Sequence, residues 1–323
     1  LYLRGVVYSI MENYSKALSL IEEALRINPS HPDAYSQMGY LHSRLNQYEQ
    51  AAQAYEKAIS INPNNYRDNF GLGLTYIKLN KHAQAVDPLV QCTTLNPEFP
   101  DAFYNLGLVY EALGQLEKAA EAYLQFIKIN PGPVWTGFNQ LGSVYIKLGQ
   151  YDKAIGAFQE VIKTSPQDLK ANYYLAYAYD MSGQYSQAAP LYKKLVELNP
   201  NDARVYYNQL FRLYDKAGDY ENAIDTCKIL ISQMPDNHEY HYNLGIIYSK
   251  KKDYQNALDC YQKALAFKPD FAQSYYNIGL VYFNQEKYAD AIQAFTKFTQ
   301  LTPNEPDAFY NLGACYLHLK KYE

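Results

Sequence analysis

The sequence has few of the features that announce a chemistry by themselves. It contains no apolar run near the ~18 residues that a membrane-spanning helix needs, which argues against membrane insertion. Neither sign of charge dominates, because 29 basic and 33 acidic residues leave a net charge of −4. The electrostatic footprint of a nucleic-acid binder is therefore missing. Cysteine occurs only at Cys92, Cys227, Cys260 and Cys315, with no C-x-x-C pair, which excludes a zinc ribbon and a thioredoxin-type motif. These four are expected to be buried, inert thiols. Free thiols lean toward a reducing, cytoplasmic compartment, with an extracellular assembly as the alternative. Leu1 is followed by no charged n-region and no apolar h-region, so no signal peptide is read there.

Catalytic motifs are missing too. There is no G-x-S-x-G elbow and no H-E-x-x-H, and Gly71-Leu72-Gly73 lacks the further glycine of a phosphate loop. His238 and His241 flank Glu239 at a spacing that could share a metal on a helix. However, His241 stands in the column that holds Phe103, Phe138, Tyr275 and Phe309 in other units, so packing accounts for it. No metal, cofactor or catalytic residue is expected, and the chain is read as non-enzymatic. Asn13-Tyr14-Ser15 is a glycosylation sequon at a turn, usable only in a secreted protein.

What the sequence does have is a period. Prolines recur at Pro29, Pro63, Pro97, Pro131, Pro166, Pro200, Pro235, Pro269 and Pro303, at steps of 34 or 35 residues. Twelve residues before each stands an alanine, from Ala17 and Ala51 through Ala119 to Ala291. Twenty-four residues before stands a glycine in seven of nine cases, with Ala176 and Phe211 in the other two. A fixed period of this length marks stacked repeats. Phe103, Leu106, Gly107 and Tyr110 fall at i, i+3, i+4 and i+7 and define one helical face; Ala119, Tyr123 and Phe126 define a second. Asn130-Pro131 closes it, since proline cannot continue a helix. Each unit is thus two antiparallel helices, and the fold class is an all-α solenoid of such pairs. The glycine and alanine columns are expected to face each other, where helices pack closely. The units run approximately 1–31, 32–65, 66–99, 100–134, 135–168, 169–203, 204–237, 238–271, 272–305 and 306–323, one array over residues 1–323.

The 36 tyrosines follow from this period. One column supplies Tyr8, Tyr76, Tyr110, Tyr145, Tyr179, Tyr214, Tyr248, Tyr282 and Tyr316, with His42 as its exception. A second, near the turn, supplies Tyr14, Tyr48, Tyr151, Tyr185, Tyr220, Tyr254, Tyr288 and Tyr322. Half-buried packing positions suit a ring with a polar tip.

The stretch Phe103-Tyr104-Asn105-Leu106-Gly107, followed by Tyr110, Ala119, Tyr123 and Pro131, resembles the signature of the tetratricopeptide repeat family, and the likeness runs from Leu1 to Glu323. The resemblance implies a right-handed superhelix, with first helices lining a concave groove and second helices on the convex side. It implies protein or peptide partners and little more, because the fold serves unrelated roles.

The candidate site is the groove. Tyr104-Asn105, Tyr242-Asn243, Tyr276-Asn277 and Tyr310-Asn311 recur just before the glycine column. By the resemblance they point into the concave surface, where asparagines offer both donors and acceptors to an extended peptide and tyrosines offer contact area. The repeat region of O-linked N-acetylglucosamine transferases carries a similar ladder. Against this, Tyr-Asn is also a common filling of these places across the family. Asn139 and Asn208 join the row if the two 35-residue units each carry a one-turn π-bulge, which local sequence favours. They leave it if the extra residue lies in the preceding loop, as Pro131-Gly132-Pro133 permits. A carboxylate clamp is not expected, since the groove positions hold only scattered basic residues such as Arg67, Lys170 and Arg212. Phe211 in the glycine column predicts a local widening or a changed superhelical pitch near residues 204–235. Pro88 and Pro190 are expected to bend their helices without breaking the repeat. The chain begins partway through a first helix and stops where a second would begin, so Leu312, Tyr316 and Leu319 are expected to lack a partner and to offer an end-contact surface.

The leading expectation is a scaffold holding an extended peptide or partner helix. The rivals are a filament subunit that self-associates end to end and the substrate arm of a glycosyltransferase whose catalytic part lies elsewhere.

Overall fold

The computed structural model describes residues 1–130 and 135–319, and every regular element among them is helical. Two compact units contain them, Leu1–Ala178 and Tyr179–Glu323. The first unit holds α1 (Tyr2–Ile10), α2 (Tyr14–Ile27), α3 (Pro32–Arg44), α4 (Tyr48–Ile61), α5 (Tyr66–Lys78), α6 (His82–Leu95), α7 (Pro100–Ala112), α8 (Leu116–Ile129), α9 (Trp135–Lys147) and α10 (Tyr151–Thr164). The boundary falls inside α11 (Leu169–Met181). The second unit holds α12 (Tyr185–Leu198), α13 (Ala203–Ala217), α14 (Tyr220–Gln233), α15 (His238–Lys250), α16 (Tyr254–Phe267), α17 (Ala272–Asn284), α18 (Tyr288–Leu301) and α19 (Pro306–His318). Odd-numbered helices are the first members of the repeat pairs and even-numbered helices the second.

Each pair turns through one left-handed residue. Glu12, Asn46, Asn80, Lys252 and Glu286 take φ near +60°, and Gly114, Gly149, Gly183 and Gly218 fill the same place with φ of 69–76°. A left-handed residue ends a helix sharply and satisfies its last carbonyls; Gln115 N, for example, reaches Tyr110 O at 2.8 Å. Pro32, Pro100 and Pro306 open their helices in the first turn, where a missing N–H costs nothing. Pro88 and Pro190 lie inside α6 and α12, and both helices continue through them.

Most of the helix pairs that carry the glycine close on an aromatic contact that differs from the expected glycine–alanine one. A Cβ on Gly107 would lie 2.5 Å from the Tyr123 ring, one on Gly142 2.7 Å from Phe158, one on Gly245 2.6 Å from Tyr261 and one on Gly279 2.7 Å from Phe295. These glycines, with Gly39 on Tyr55, receive a ring four residues beyond the alanine, because only a bare backbone lets an aromatic side chain lie against a helix; Gly5 and Gly73 receive Ile21 and Leu89 at the same place. The alanines Ala119, Ala154, Ala257 and Ala291 are fully buried beside those rings.

The π-bulge expected in the 35-residue units is absent. Helix α9 is an uninterrupted α-helix that starts four residues after Pro131, whereas α7 starts three after Pro97. Its extra residue precedes it, and Pro131-Gly132-Pro133 lie outside the described residues. Helix α13 is also uninterrupted, and buried Tyr206, Leu210 and Leu213 stand as far from Gly218 as Ala102, Leu106 and Val109 do from Gly114. The extra residue here sits at the helix start, after a 3-10 turn over Pro200–Asp202. The register counted from the turn is kept because the turn fixes how the two helices mesh.

Phe211 is accommodated by two adjustments. The position sixteen residues later, which holds Tyr123, Phe158, Tyr261 or Phe295 in other pairs and Ile21 or Leu89 in two more, holds the smaller, fully buried Cys227. In addition, α13 approaches α14 along less of its length than α15 approaches α16, and lies comparably close to the preceding α12. First helices are tied by ion pairs as well: Glu111 with Lys147 at 2.6 Å, Asp180 with Lys216 at 2.9 Å, and Asp215 with Lys250. The Asp180 side chain is nearly buried, so removing its lysine would strand a desolvated charge.

Candidate functional site

Within each unit, successive first helices touch directly, α1 with α3, α3 with α5, α5 with α7 and α15 with α17. Their shared face carries the Tyr-Asn positions. Tyr104 seats on Tyr123 and Phe126 with ring centroids 5.9 and 5.2 Å away, and Tyr242 on Tyr261 at 5.8 Å. Tyr276 seats on Phe295 and Phe298 at 5.8 and 5.1 Å. The second helix of each pair thus holds the first helix's tyrosine in place.

In the second unit the asparagines tie one repeat to the next. Asn277 donates from Nδ2 to the Tyr242 hydroxyl at 3.0 Å, and Asn311 donates to the Tyr276 hydroxyl at 3.1 Å. Each rung needs a tyrosine thirty-five residues earlier. For Asn243 that position is Asn208, and no hydrogen bond to the Asn243 side chain is found among the described residues. For Asn105 it is Phe70, and Asn105 donates instead to the Asp101 carbonyl of its own helix at 2.7 Å. Tyr310 is 79% exposed at the end of the row.

Asn139 and Asn208 do not stand in the asparagine column. Counted from the turn they occupy the tyrosine column, and Gln140 and Gln209 take the asparagine places. Asn139 is buried, with its Oδ1 unpartnered among the described residues. Asn208 donates to the Arg204 carbonyl at 2.9 Å and to the Tyr240 hydroxyl at 3.4 Å. Both shifts follow from the extra residue lying ahead of the helix.

Two cavities open on the first-helix faces. The one in the second unit, about 270 Å3, lies against Tyr242, Tyr276, Phe298, Glu305 and Asp307. The larger, about 680 Å3, lies between α1, α3 and α5 and is lined by Tyr2, Ser9, Asp33, Ser36, Tyr40, Tyr55, Asn65, Asp68 and Phe70, among others. Asp68 is 2% exposed and accepts from Asn65 Nδ2 at 2.8 Å. Burial pushes its carboxyl above the usual carboxylate range, Ser36 and Asn65 partly offset that, and Asp33 adds to it. Sequence reasoning passed over this site. Its signal was the interruption of both columns, with Ser36 where tyrosine recurs and Gly71 where asparagine recurs. A Cβ at Gly71 would lie 2.6 Å from the Tyr55 ring, so the glycine lets Tyr55 form the cavity wall.

The remaining candidates are engaged in packing, capping or burial to different degrees. His241 stacks on Phe267, and its Nε2 meets the Pro235 carbonyl at 2.8 Å. His238 packs edge-on to Phe271, and no group of three or more metal-ligating side chains occurs among the described residues. The four cysteines are free and buried, and burial pushes the Cys92 and Cys227 thiols up to about 12 and Cys260 up to about 11. Such thiols are poor nucleophiles. Asn13 caps α2 by accepting from Lys16 N at 3.3 Å. At the C-terminal end Leu312 packs in the core with Phe295, and Tyr316 and Leu319 are half-buried. Among the described side chains of α19, the large apolar ones that are exposed are Phe309, Tyr310 and Leu317. Gly313 on the same helix is exposed, with nothing within 4 Å of a Cβ placed on it, so the glycine side of α19 faces no second helix among the described residues. No helix among the described residues is long and apolar enough to cross a membrane.

Comparison with known proteins places this geometry. Models of the tetratricopeptide repeat match residues 1–31, 32–65, 54–87, 100–133, 145–210 and 181–245. A model described as TPR repeat matches 73–114, 247–286 and 279–319. No curated protein matches in sequence. Among solved structures, the C-terminal part of a TPR repeat-containing protein from Cytophaga hutchinsonii is 17% identical, covers 85% of this chain and 98% of its own, and superposes with a TM-score of 0.54. MamA protein is 26% identical, with 53% and 93% covered and a TM-score of 0.49. YrrB, described as a TPR protein with an unusual peptide-binding site, is 19% identical, with 69% and 96% covered and a TM-score of 0.40. With paired helices at a 34-residue step, glycines receiving aromatic rings, and family models matching almost end to end, the chain belongs to the tetratricopeptide repeat family, and its repeats support a protein-interaction scaffold.

Proposed function

We propose that the chain is a non-enzymatic scaffold that holds an extended peptide or partner helix along the face of its first helices. The observation that carries this reading is the rung pattern of the second unit. Asn277 and Asn311 each give one N–H to a tyrosine of the preceding repeat, which fixes the amide and leaves its second N–H available. The accepting hydroxyls keep a proton to donate. Polar groups held at repeat intervals beside fixed aromatic rings cost little further ordering when a partner arrives. The neighbouring cavity against Tyr242 and Tyr276 supplies a place for one side chain.

The test is selection of peptides from a displayed random library on the intact chain, with light scattering of the same sample over a hundredfold concentration range. Enriched peptides should bind a monodisperse protein and weaken about tenfold, or ~1.4 kcal/mol, in Asn277→Ala. Failure to enrich any peptide, together with assembly that grows with concentration, would overturn the reading in favour of end-to-end association.

A further inference from the structure

The cavity between α1, α3 and α5 differs from the second unit's cavity, whose carboxylates Glu305 and Asp307 are exposed, in holding a carboxylate that is buried. Asp68 lies at its wall, almost completely buried, and Asp33 stands at its rim. Neither carboxylate has an ion-pair partner among the described residues. The one cation among the described residues that line the cavity, Arg67, is turned away: its Nε donates to the Tyr66 hydroxyl at 3.2 Å, and its guanidinium lies over the Tyr66 ring at 5.7 Å. Gln37 Nε2 is likewise committed, donating to Ser9 Oγ at 2.8 Å. Tyr2, Tyr40, Tyr55 and Phe70 supply aromatic wall.

A desolvated carboxylate without a cation is costly, and aromatic rings attract cations. The two together describe a receptor for positive charge. We propose that this cavity is a subsite for a basic side chain of the partner, arginine above lysine, with Asp68 as the anchoring acceptor and Asp33 as the outer one. A planar guanidinium matches both a carboxylate edge and a ring face, whereas an ammonium matches only the first. The subsite rests on the scaffold reading above for its biological partner, but its chemistry is separable.

Burial holds the Asp68 carboxyl above its ordinary range in the free protein, and an arriving cation reverses that bias. The cavity exists because two repeat columns are interrupted, which also supplies the control: Ser36→Tyr restores the side chain that Tyr104, Tyr242 and Tyr276 place at this position.

The experiment titrates the full chain with N-acetyl-arginine amide and with N-acetyl-citrulline amide, its neutral counterpart, followed by NMR. Wild type should bind the arginine compound about tenfold more tightly or better, in keeping with a charge-assisted contact. Asp68→Asn, which keeps the shape and the Asn65 contact, should erase that preference. Asp33→Asn should weaken it about threefold, as an exposed charge does, and Ser36→Tyr should remove binding. Thermal melts of each variant report folding; if Asp68→Asn does not fold, the Asp33→Asn and Ser36→Tyr results decide alone. Equal binding of the two compounds, or indifference to these substitutions, overturns the subsite. If library-selected peptides bind but lack a basic residue and ignore Asp68→Asn, the subsite fails while the scaffold reading stands. If no peptide is enriched yet the arginine compound binds through Asp68, the reverse holds.

Discussion

The first-helix faces of the two units use the same backbone to opposite ends. In the first unit, from α1 to α7, the tyrosine column reads Tyr2, Ser36, Phe70 and Tyr104, and the asparagine column reads Leu3, Gln37, Gly71 and Asn105. In the second unit, from α15 onward, they read Tyr242, Tyr276 and Tyr310 beside Asn243, Asn277 and Asn311. Filled columns cross-link repeats, as Asn277 does to Tyr242. Broken columns open a cavity and leave Asp68 buried in its wall. Both regions keep a glycine under a large side chain of the second helix, Gly39 on Tyr55 and Gly279 on Phe295 alike, with Ile21 and Leu89 in that role over Gly5 and Gly73. The lesson is that the stacking contacts and the face are separate sets of positions, so the face can change without loss of the fold.

That separation can be broken where the second unit departs from the stacking rule. Cys227→Tyr should place a ring where Phe211 already takes the room, at a cost of about 1–3 kcal/mol for an overpacked core. Adding Phe211→Gly should return most of it, because the pair then reads as Gly245 and Tyr261 do. Denaturant unfolding of both variants gives the coupling energy; strictly additive losses would show that the two positions do not share one site.

A smaller effect sharpens the contrast between filled and broken columns. Asn277→Ala should cost about 1 kcal/mol, the net worth of one hydrogen bond, through loss of the contact to Tyr242. Asn243→Ala should fall within about 0.5 kcal/mol of wild type, as a substitution that breaks no such contact. Equal losses in urea unfolding would mean that the rungs contribute nothing.

The least change is one of sign. The raised Asp68 carboxyl means that the folded chain holds a proton at pH values where the unfolded chain has released it. Stability therefore falls as pH rises through that window, from the ordinary carboxylate value of about 4 upward. Asp68→Asn has no such proton to lose. Its melting temperature should exceed that of wild type at pH 7, and the advantage should shrink as pH falls toward about 4. An advantage that instead grew in acid would reverse the assignment. In the first unit the gain in stability should accompany loss of arginine binding, a trade that no substitution in the second unit's rungs should show.

Much of the fold was legible because the repeat forces it into one dimension. The proline step located every second-helix end, and the glycine column located the close helix approach. The partner of that glycine was misread, since spacing shows that two columns face each other without showing which side chain reaches across; Ala119 lies beside the contact and Tyr123 makes it. The candidate site was legible in part. Tyr242, Tyr276, Asn277 and Asn311 lie together as rungs, while Asn139 and Asn208 fall in the neighbouring column because one residue precedes their helices. Asp68 gave no local signal, for a single acidic residue in a helix reads as solvated until its neighbours' positions are known.

By itself the sequence determined the helix pairs, their period and the columns that stack, because these follow from contacts within about one repeat of chain. Tertiary structure alone decided whether a polar side chain on the first-helix face is spent on the next repeat, turned back on its own helix or left facing a cavity. Those outcomes depend on a partner thirty-five residues away, as Asn277 has in Tyr242 and Asn243 lacks in Asn208, and on the room that Ser36 and Gly71 leave around Asp68.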